Sequence, residues 1–433
     1  MARLWYYVFI WALHKNRLCD KLKKERKADG EDTMKYRYSE QLKNLTAREM
    51  KDWFGLYQES ARVNLFAGDP AESLLPTEEL GQIAADYFQN PEKAGLLYET
   101  GFGYGALRVQ LAAYARLVLH IGSGEDSILI TEGVRQAFYA ICQVFCNEGD
   151  GILCDQLTAP FVLMTAKQQG LSVVPVEMDN QGMVPERLEA ILKTNPGVKL
   201  IYLSSEFQVP TGVTIPEERR KRLCEVAEQY GVMIVEDASV SQMRLYGEDL
   251  LPIKAFDTQS TVIYLGSFSQ VLSPGLRVGY VIAGEDVIHR LAAYNQTHGA
   301  GAAPFSQMLC AEYLKKYSLT ERIDALCEQY RSRYEQMTTQ IEQKFPEDIY
   351  FSQPDGGLYL WCTDVSEQVN ATRLASRLYE KHGIRIAAGD LFAAEEGIAQ
   401  SSFCLNYTKY EAEELTEILD LIAAELKEMM PGY

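Results

Sequence analysis

Short apolar runs alternate with amphipathic stretches from Ser127 onward. The apolar runs read SILIT, GILCD, LSVVPVEM, VKLIYLS, GVMIVED, STVIYLGS and VGYVIAG, and amphipathic stretches such as Gly133 to Phe145 and Glu217 to Tyr230 lie between them. Apolar runs of this length that alternate with helices are typical of βαβ units, whose sheet is covered on both faces. The pattern therefore predicts a large α/β domain with a mainly parallel sheet.

The pattern changes towards the C-terminus. A long charged amphipathic helix is predicted from about Leu319 to Phe345, a shorter one from Ala371 to His382, and a final one from Glu411 to Met429. The strand-like segments GGLYLWC, IRIAAG and SSFCLNY lie between them. This mixture predicts a smaller α+β domain packed on the large one.

Four regions follow from these patterns. We place an N-terminal arm at 1–63, a segment that contributes to the small domain at 64–97, the large domain at 98–310 and the small domain at 311–433. Within the arm, Leu4 to Leu13 is an apolar run followed by a basic stretch, and ten residues are too few to span a bilayer. The run is either upstream of a translation start at Met34 or an interfacial arm, and no membrane span is expected.

Composition narrows the functional classes. Of the 433 residues, 47% are apolar and 24% charged, as in an ordinary globular protein, and the net charge of −18 argues against a nucleic-acid surface. Nine cysteines without a CxxC pair indicate reduced thiols in a cytoplasmic protein. No metal site is predicted.

Two loops at the carboxyl ends of predicted strands carry candidate chemistry, because ligands of open α/β sheets bind there. In ITEGVRQAF, a helix begins directly after a strand and Gly133, and its N–H groups suit a phosphate. In IVEDASV, Glu236 and Asp237 end an apolar strand, where a carboxylate suits a cation or a protonated ring nitrogen. A plain strand-to-helix turn and an acidic turn cap explain the same two patterns.

The third loop is YLGSFSQVLSPGLRVGY, from Tyr264 to Tyr280. The hydroxyls of Ser267 and Ser269 donate hydrogen bonds to an anion, and the planar guanidinium of Arg277 suits a phosphate. Together the three loops predict a site for a dianionic cofactor with a basic ring.

With these loops, the chain resembles a known family. It is similar to the class I/II aminotransferases of the fold type I pyridoxal phosphate family, especially the group with α-aminoadipate and kynurenine transaminases and the effector domains of MocR-type regulators. The matching motifs run in the family's order from about Asn64 to Met429: NLFAGDPAESLLP, GFGYGALR after Tyr98, EFQVPTGV, VEDASV, QPDGGLYLW and AAGDLF. The resemblance implies the fold type I architecture and a homodimer.

The resemblance also assigns roles to single residues. It implies that Asp237 pairs with the pyridine nitrogen of pyridoxal phosphate and that Tyr98 reaches the phosphate of the neighbouring subunit. The residues that it implies for the phosphate of the same subunit are Ser267, Ser269, Arg277 and the backbone of Val134 and Arg135.

Gln270 departs from the family pattern. In the family, the residue after Gly-Ser-Phe-Ser is the lysine that forms a Schiff base with the cofactor and moves the substrate's proton. In this chain the residue is Gln270. An amide nitrogen is not a nucleophile and an amide is not a general base. Three further departures replace an Asn by Val209, a Tyr by Val240 and the carboxylate-binding Arg by Cys404.

These features predict an aminotransferase-family protein that binds pyridoxal or pyridoxamine phosphate non-covalently, with altered or lost transaminase activity towards a small amino or keto acid. Two alternatives stay open at this point. One is a catalytically inactive binding or regulatory scaffold. The other is a conventional aminotransferase that uses a different lysine, with Lys254 and Lys409 nearest in motif terms.

Overall fold

A seven-stranded sheet forms the centre of the computed structural model, which describes residues 61–89, 94–122, 126–299 and 301–430. In spatial order the strands are β2 (Asp126–Thr131), β10 (Gly279–Gly284), β9 (Val262–Ser267), β8 (Met233–Asp237), β7 (Val198–Leu203), β3 (Gly151–Asp155) and β4 (Ser172–Val176). Only β10 runs antiparallel to its neighbours in this sheet. The predicted mainly parallel α/β sheet is confirmed.

Helices cover both faces of this sheet. In chain order, the helices up to residue 316 are α1 (Thr77–Gln89), α2 (Gly105–Leu117), α3 (Gly133–Phe145), α4 (Pro160–Gln168), α5 (Pro185–Thr194), α6 (Glu217–Tyr230), α7 (Glu285–His298) and α8 (Pro304–Lys316), of which α1 and α8 pack against each other. Side chains alternate between faces along a strand. Accordingly, Tyr202 and Val235 pack in one buried cluster with α3 and α7, whereas Ile201 and Ile234 pack in another with α5 and α6.

The C-terminal part contains a second, antiparallel sheet. Its order is β11 (Ile349–Phe351), β12 (Tyr359–Asp364), β15 (Ser402–Asn406) and β14 (Ala387–Ala388), and its helices are α9 (Leu319–Lys344), α10 (Ala371–His382) and α11 (Ala412–Met429). Two pairs of short strands complete the fold: β1 (Val63–Asn64) runs parallel to β13 (Ile384–Arg385), and β5 (Met178–Asp179) pairs with β6 (Gly182–Met183). The domain boundaries proposed from the sequence stay predictions.

From the sequence we expect no membrane span and reduced cysteine thiols. None of the described helices is long and apolar enough to cross a bilayer, and the apolar run Leu4 to Leu13 lies outside the described residues. The eight cysteines in the described part of the chain are all free thiols.

Glu425 joins helices α10 and α11 through buried charge. Its carboxylate accepts hydrogen bonds from Arg377 Nε at 2.7 Å and from Lys381 Nζ at 2.9 Å, and His382 Nε2 lies 3.1 Å away. Burial raises the pKa of Glu425, but the hydrogen bonds from Lys381, Arg377 and His382 outweigh it and lower the pKa to about 2. The ionised carboxylate therefore stabilises the folded state.

This gives a pH dependence with a definite sign. Because the pKa of Glu425 is lower in the folded than in the unfolded chain, its contribution to stability is complete above about pH 4.5 and is lost as the pH falls towards about 2. We expect Glu425→Gln to lower the melting temperature at pH 7 and to flatten its fall between about pH 5 and 3.

Glu428 supplies the matched control, because it contacts Arg377 and Lys381 from a side chain that is 58% exposed. Glu428→Gln is expected to change the free energy of unfolding by less than about 1 kcal/mol. If the melting temperatures of wild type and Glu425→Gln fall in parallel as the pH is lowered through this range, Glu425 is not the group that gives this pH dependence.

Candidate functional site

A cavity of about 560 Å³ lies at the edge of the sheet where the parallel strands end. The ends of β8 and β9, the start of α3, the loop around Ala159 and the segment Phe66 to Asp69 line it. Seven predicted site residues meet there: Val134, Arg135, Asp237, Ser267, Ser269, Gln270 and Arg277. The eighth, Tyr98, is fully solvent-exposed and does not line the cavity, so its role towards a neighbouring subunit stays a prediction.

One end of the cavity is suited to an anion. Helix α3 begins at Gly133, which has φ +76°, and the Arg277 guanidinium lies against it and donates to the Glu132 carbonyl at 3.1 Å. A Cβ at position 133 would lie 2.9 Å from Arg277 Nη2, so a side chain there would displace the guanidinium, and the positive φ also favours glycine. The hydroxyl-bearing residues Ser267 and Ser269 line the same cavity. A helix N-terminus, an arginine and two hydroxyls are groups that suit a phosphate.

A buried carboxylate occupies a second wall. Asp237 ends β8 and is 5% exposed, and it accepts hydrogen bonds from the Tyr202 hydroxyl at 2.7 Å and the Ser239 N–H at 2.9 Å. Burial, and next the Asp237 carboxylate, raise the pKa of Tyr202 well above its usual value, so this hydroxyl stays a donor. The arrangement fixes the orientation of the Asp237 carboxylate in the cavity wall, where it suits a protonated ring nitrogen.

Gln270 lies at a third wall and is 8% exposed. Its Nε2 donates to the Gly68 carbonyl at 2.6 Å, which ties the segment around Gly68 to the end of β9. A Cβ at position 68 would lie 2.8 Å from the Tyr359 hydroxyl, so a side chain there would displace that hydroxyl. The Gln270 Oε1 is buried and has no hydrogen-bond partner in the described part of the chain.

None of the described residues that line the cavity is a lysine. Lys254 is buried and its ammonium lies 2.9 Å from Asp257 Oδ2, outside the cavity lining. Lys409 is nearer, because its Nζ lies 3.7 Å from Asp69 Oδ2 and Asp69 lines the cavity. Of the two lysines weighed from the sequence, only Lys409 is thus close to the cavity.

The three other unusual positions are apolar in the structure as well. Val209 and Val240 both line the cavity with aliphatic surface. Cys404 is fully buried in β15, in an apolar cluster with Phe66 and Phe392, and burial raises the pKa of its thiol well above the usual value. It therefore acts as a small core residue and not as an ionic contact.

Sequence reasoning missed Tyr202, Gly68 and Asp69. Tyr202 is the single aromatic residue of the strand VKLIYL, and strand pairing places it beside Val235, two residues before Asp237. Such a polar-tipped residue in an aliphatic strand is a usable signal. Gly68 is hydrogen-bonded to Gln270, 202 positions away in sequence, and Asp69 follows Gly68 in the cavity wall. Local sequence patterns cannot predict such a distant contact.

The fold and the cavity agree with a family match over most of the chain. Residues 63–422 match the model of the family described as aminotransferase class I and II. The chain belongs to this family. Its fold is that of the fold type I pyridoxal phosphate-dependent enzymes, as predicted.

Several relatives of this aminotransferase-family chain are similar over nearly their whole length. An aromatic-amino-acid aminotransferase 1 of Thermococcus litoralis is 32% identical, with 95% of this chain and 98% of the relative covered. A 2-aminoadipate transaminase of Thermus thermophilus is 28% identical over 89% of this chain and 95% of the relative. The crystal structure of a Pyrococcus horikoshii kynurenine aminotransferase with PMP superimposes with a TM-score of 0.85 at 28% identity, covering 91% of this chain and 98% of that one.

Proposed function

We propose that this aminotransferase-family chain binds pyridoxal or pyridoxamine phosphate without a covalent bond and has altered or lost transaminase activity. The observation that carries the proposal is Gln270 in the cavity wall, with phosphate-binding and ring-binding groups around it and no lysine among the described lining residues. The family relationship supports the same cofactor class. In this proposal, Gln270 stands where the family pattern has the lysine.

The chain's own residues divide the binding task. Arg277, Ser267 and Ser269 hold the phosphate together with the N–H groups at the start of α3, while Asp237, oriented by Tyr202, keeps the ring nitrogen protonated. When bound, the cofactor supplies an electron-withdrawing ring. Gln270 has neither a nucleophilic amine nor a basic group, so it moves no proton at the reacting carbon.

A scaffold without chemistry is the second candidate, and the apolar positions favour it. Cys404 and Val209 offer no charge to a substrate carboxylate, and both belong to the apolar cluster around Phe66 and Phe392. A thiol in such surroundings does not replace a guanidinium. Binding of the cofactor without turnover of any amino acid is the outcome that this candidate predicts.

Titration tests the non-covalent binding of the cofactor that both candidates share, and a turnover assay of the loaded protein with amino acids then separates them. The purified chain is titrated with pyridoxal phosphate, with pyridoxamine phosphate and with inorganic phosphate, and the loaded protein is then dialysed. The proposal predicts saturable binding of both cofactor forms, tighter than binding of inorganic phosphate, and recovery of the unliganded protein after dialysis. Equal affinity for inorganic phosphate and the cofactors overturns it.

We further propose a homodimer, in which a second copy covers an exposed apolar stretch. Leu96, Leu97 and Tyr98 precede α2 with exposed fractions of 59%, 64% and 103%, and Val109 on α2 is 71% exposed. Solvent-exposed apolar residues concentrated in one stretch mark an interaction surface. This surface also holds Tyr98, which is expected to reach the phosphate of the second copy.

Leu97→Asp tests the dimer. Because an aspartate cannot be buried there without a large desolvation cost, we expect the variant to elute as a monomer in size-exclusion chromatography with light scattering, at a concentration where wild type is a dimer. Tyr350→Asp is the control, since Tyr350 is similarly exposed, at 63%, on β11. Loss of the dimer in both variants, or in neither, contradicts this location of the dimer interface.

A cytoplasmic location is also proposed. Its support is the set of eight described cysteines, all of which are free thiols and seven of which are buried. Free thiols are typical of proteins in a reducing compartment.

A further inference from the structure

Charge is segregated along the cavity. Among its described lining residues, the two cations are Arg135 and Arg277, and both lie beside the start of α3. The two carboxylates are Asp237, at the end of β8, and Asp69, which follows Gly68. Since Gly68 is hydrogen-bonded to Gln270, Asp69 and Gln270 belong to the same end of the cavity. That end carries the carboxylate of Asp69 and no lining cation, although Lys409, which does not line the cavity, places its Nζ 3.7 Å from Asp69 Oδ2.

The amide of Gln270 adds an acceptor to this end. The Gly68 carbonyl can only accept a hydrogen bond, so the Gln270 atom 2.6 Å from it is the NH2 group. The other amide atom is therefore Oε1, which is buried without a hydrogen-bond partner among the described residues. Buried amide oxygens are normally hydrogen-bonded, and this one belongs to a residue that lines the cavity, so a donor supplied by a ligand is one way to satisfy it.

We infer that the end of the cavity formed by Gln270 and Asp69 selects a ligand with an amine, so that the chain prefers pyridoxamine phosphate to pyridoxal phosphate and to pyridoxine phosphate. This inference rests on the proposed function. With the phosphate held by Arg277 and the ring nitrogen held by Asp237, as in the proposed function, the Gln270 wall would be left for the 4′ substituent.

The three forms differ only in that substituent. A protonated amine donates three hydrogen bonds and carries a positive charge, a hydroxyl donates one and is neutral, and an aldehyde donates none. Gln270 Oε1 and the Asp69 carboxylate offer acceptors, and a hydrogen bond from a charged donor is about twice as strong as a neutral one.

Pyridoxine phosphate is the matched probe, because it replaces the amine by a hydroxyl of nearly the same size. Isothermal titration of the full-length wild type at pH 7 with each of the three forms is expected to give a dissociation constant for pyridoxamine phosphate about tenfold lower than for pyridoxine phosphate. Pyridoxal phosphate is expected to bind no more tightly than pyridoxine phosphate.

Two variants test the acceptors. Gln270→Leu removes Oε1 and is expected to reduce the ratio of the two constants to within about threefold, because the charged amine loses a stronger hydrogen bond than the hydroxyl does. Asp69→Asn keeps the shape of a half-exposed side chain, removes its charge and lowers the same ratio. If Gln270→Leu melts at a much lower temperature than wild type, Asp69→Asn provides the test on a folded protein.

The outcomes separate the inference from the proposed function. Equal constants for pyridoxamine and pyridoxine phosphate in the wild type overturn the inference and leave the proposed function standing. A wild-type ratio that neither variant lowers also overturns it. If none of the three forms binds more tightly than inorganic phosphate, the proposed function itself is wrong.

Discussion

Arg277→Ala is expected to weaken the binding of pyridoxal phosphate by about 100-fold, because two or more charge-assisted hydrogen bonds to the phosphate are lost. The guanidinium lies against the start of α3, where no other described lining residue except Arg135 carries positive charge. Arg277→Lys keeps the charge but loses the planar fork, so an intermediate loss is expected.

The measurement for Arg277 is a dissociation constant from absorbance or calorimetric titration. Arg290→Ala is the control, since Arg290 is 60% exposed on α7 and pairs only with Asp286 in the described structure. Melting temperatures of both variants show whether the fold is intact. A loss of less than about threefold for Arg277→Ala in a folded protein contradicts the phosphate assignment.

The second large effect is the gain of a covalent bond to the cofactor. Gln270→Lys is expected to form a covalent adduct with pyridoxal phosphate, which borohydride reduction fixes and intact mass spectrometry detects, whereas wild type forms none. The physical reason is position: residue 270 directly follows Ser269 in the cavity wall, and a largely buried lysine there loses proton affinity and becomes nucleophilic.

Transaminase activity is not expected to return with the adduct. Cys404 and Val209 keep that part of the site apolar, so a substrate carboxylate still lacks a cation. We expect Gln270→Lys to bind the cofactor covalently and to turn over amino acids far more slowly than ordinary aminotransferases. If Gln270→Lys alone is as active as an ordinary aminotransferase, the residues Val209, Val240 and Cys404 have little effect on catalysis.

Much of the secondary structure was predictable from local patterns. The helices Gly133–Phe145, Glu217–Tyr230 and Ala371–His382 have the predicted bounds, and a glycine follows each of the last two. Gly231, for example, ends its helix in the left-handed conformation. The antiparallel direction of β10 was not predicted, because an apolar run carries no information about strand direction.

The site was predictable where motifs are local and hidden where contacts are distant. Asp237, Ser267 and Arg277 follow strand ends, and strand ends converge at one edge. The bond from Gln270 to Gly68 and the packing of Cys404 against Phe66 join segments more than 200 positions apart. Only the folded chain shows that Gln270 is fixed by one hydrogen bond and unsatisfied at Oε1.

The most direct test of the central claim uses the wild-type chain alone. The protein is saturated with pyridoxal phosphate, half is reduced with borohydride, both halves are dialysed, and their intact masses are compared, with Gln270→Lys as the positive control. Non-covalent binding predicts the unmodified mass in both wild-type halves and a single adduct in the reduced control. A stoichiometric adduct in the reduced wild type, mapped by peptide analysis to Lys409 or another lysine, contradicts the account.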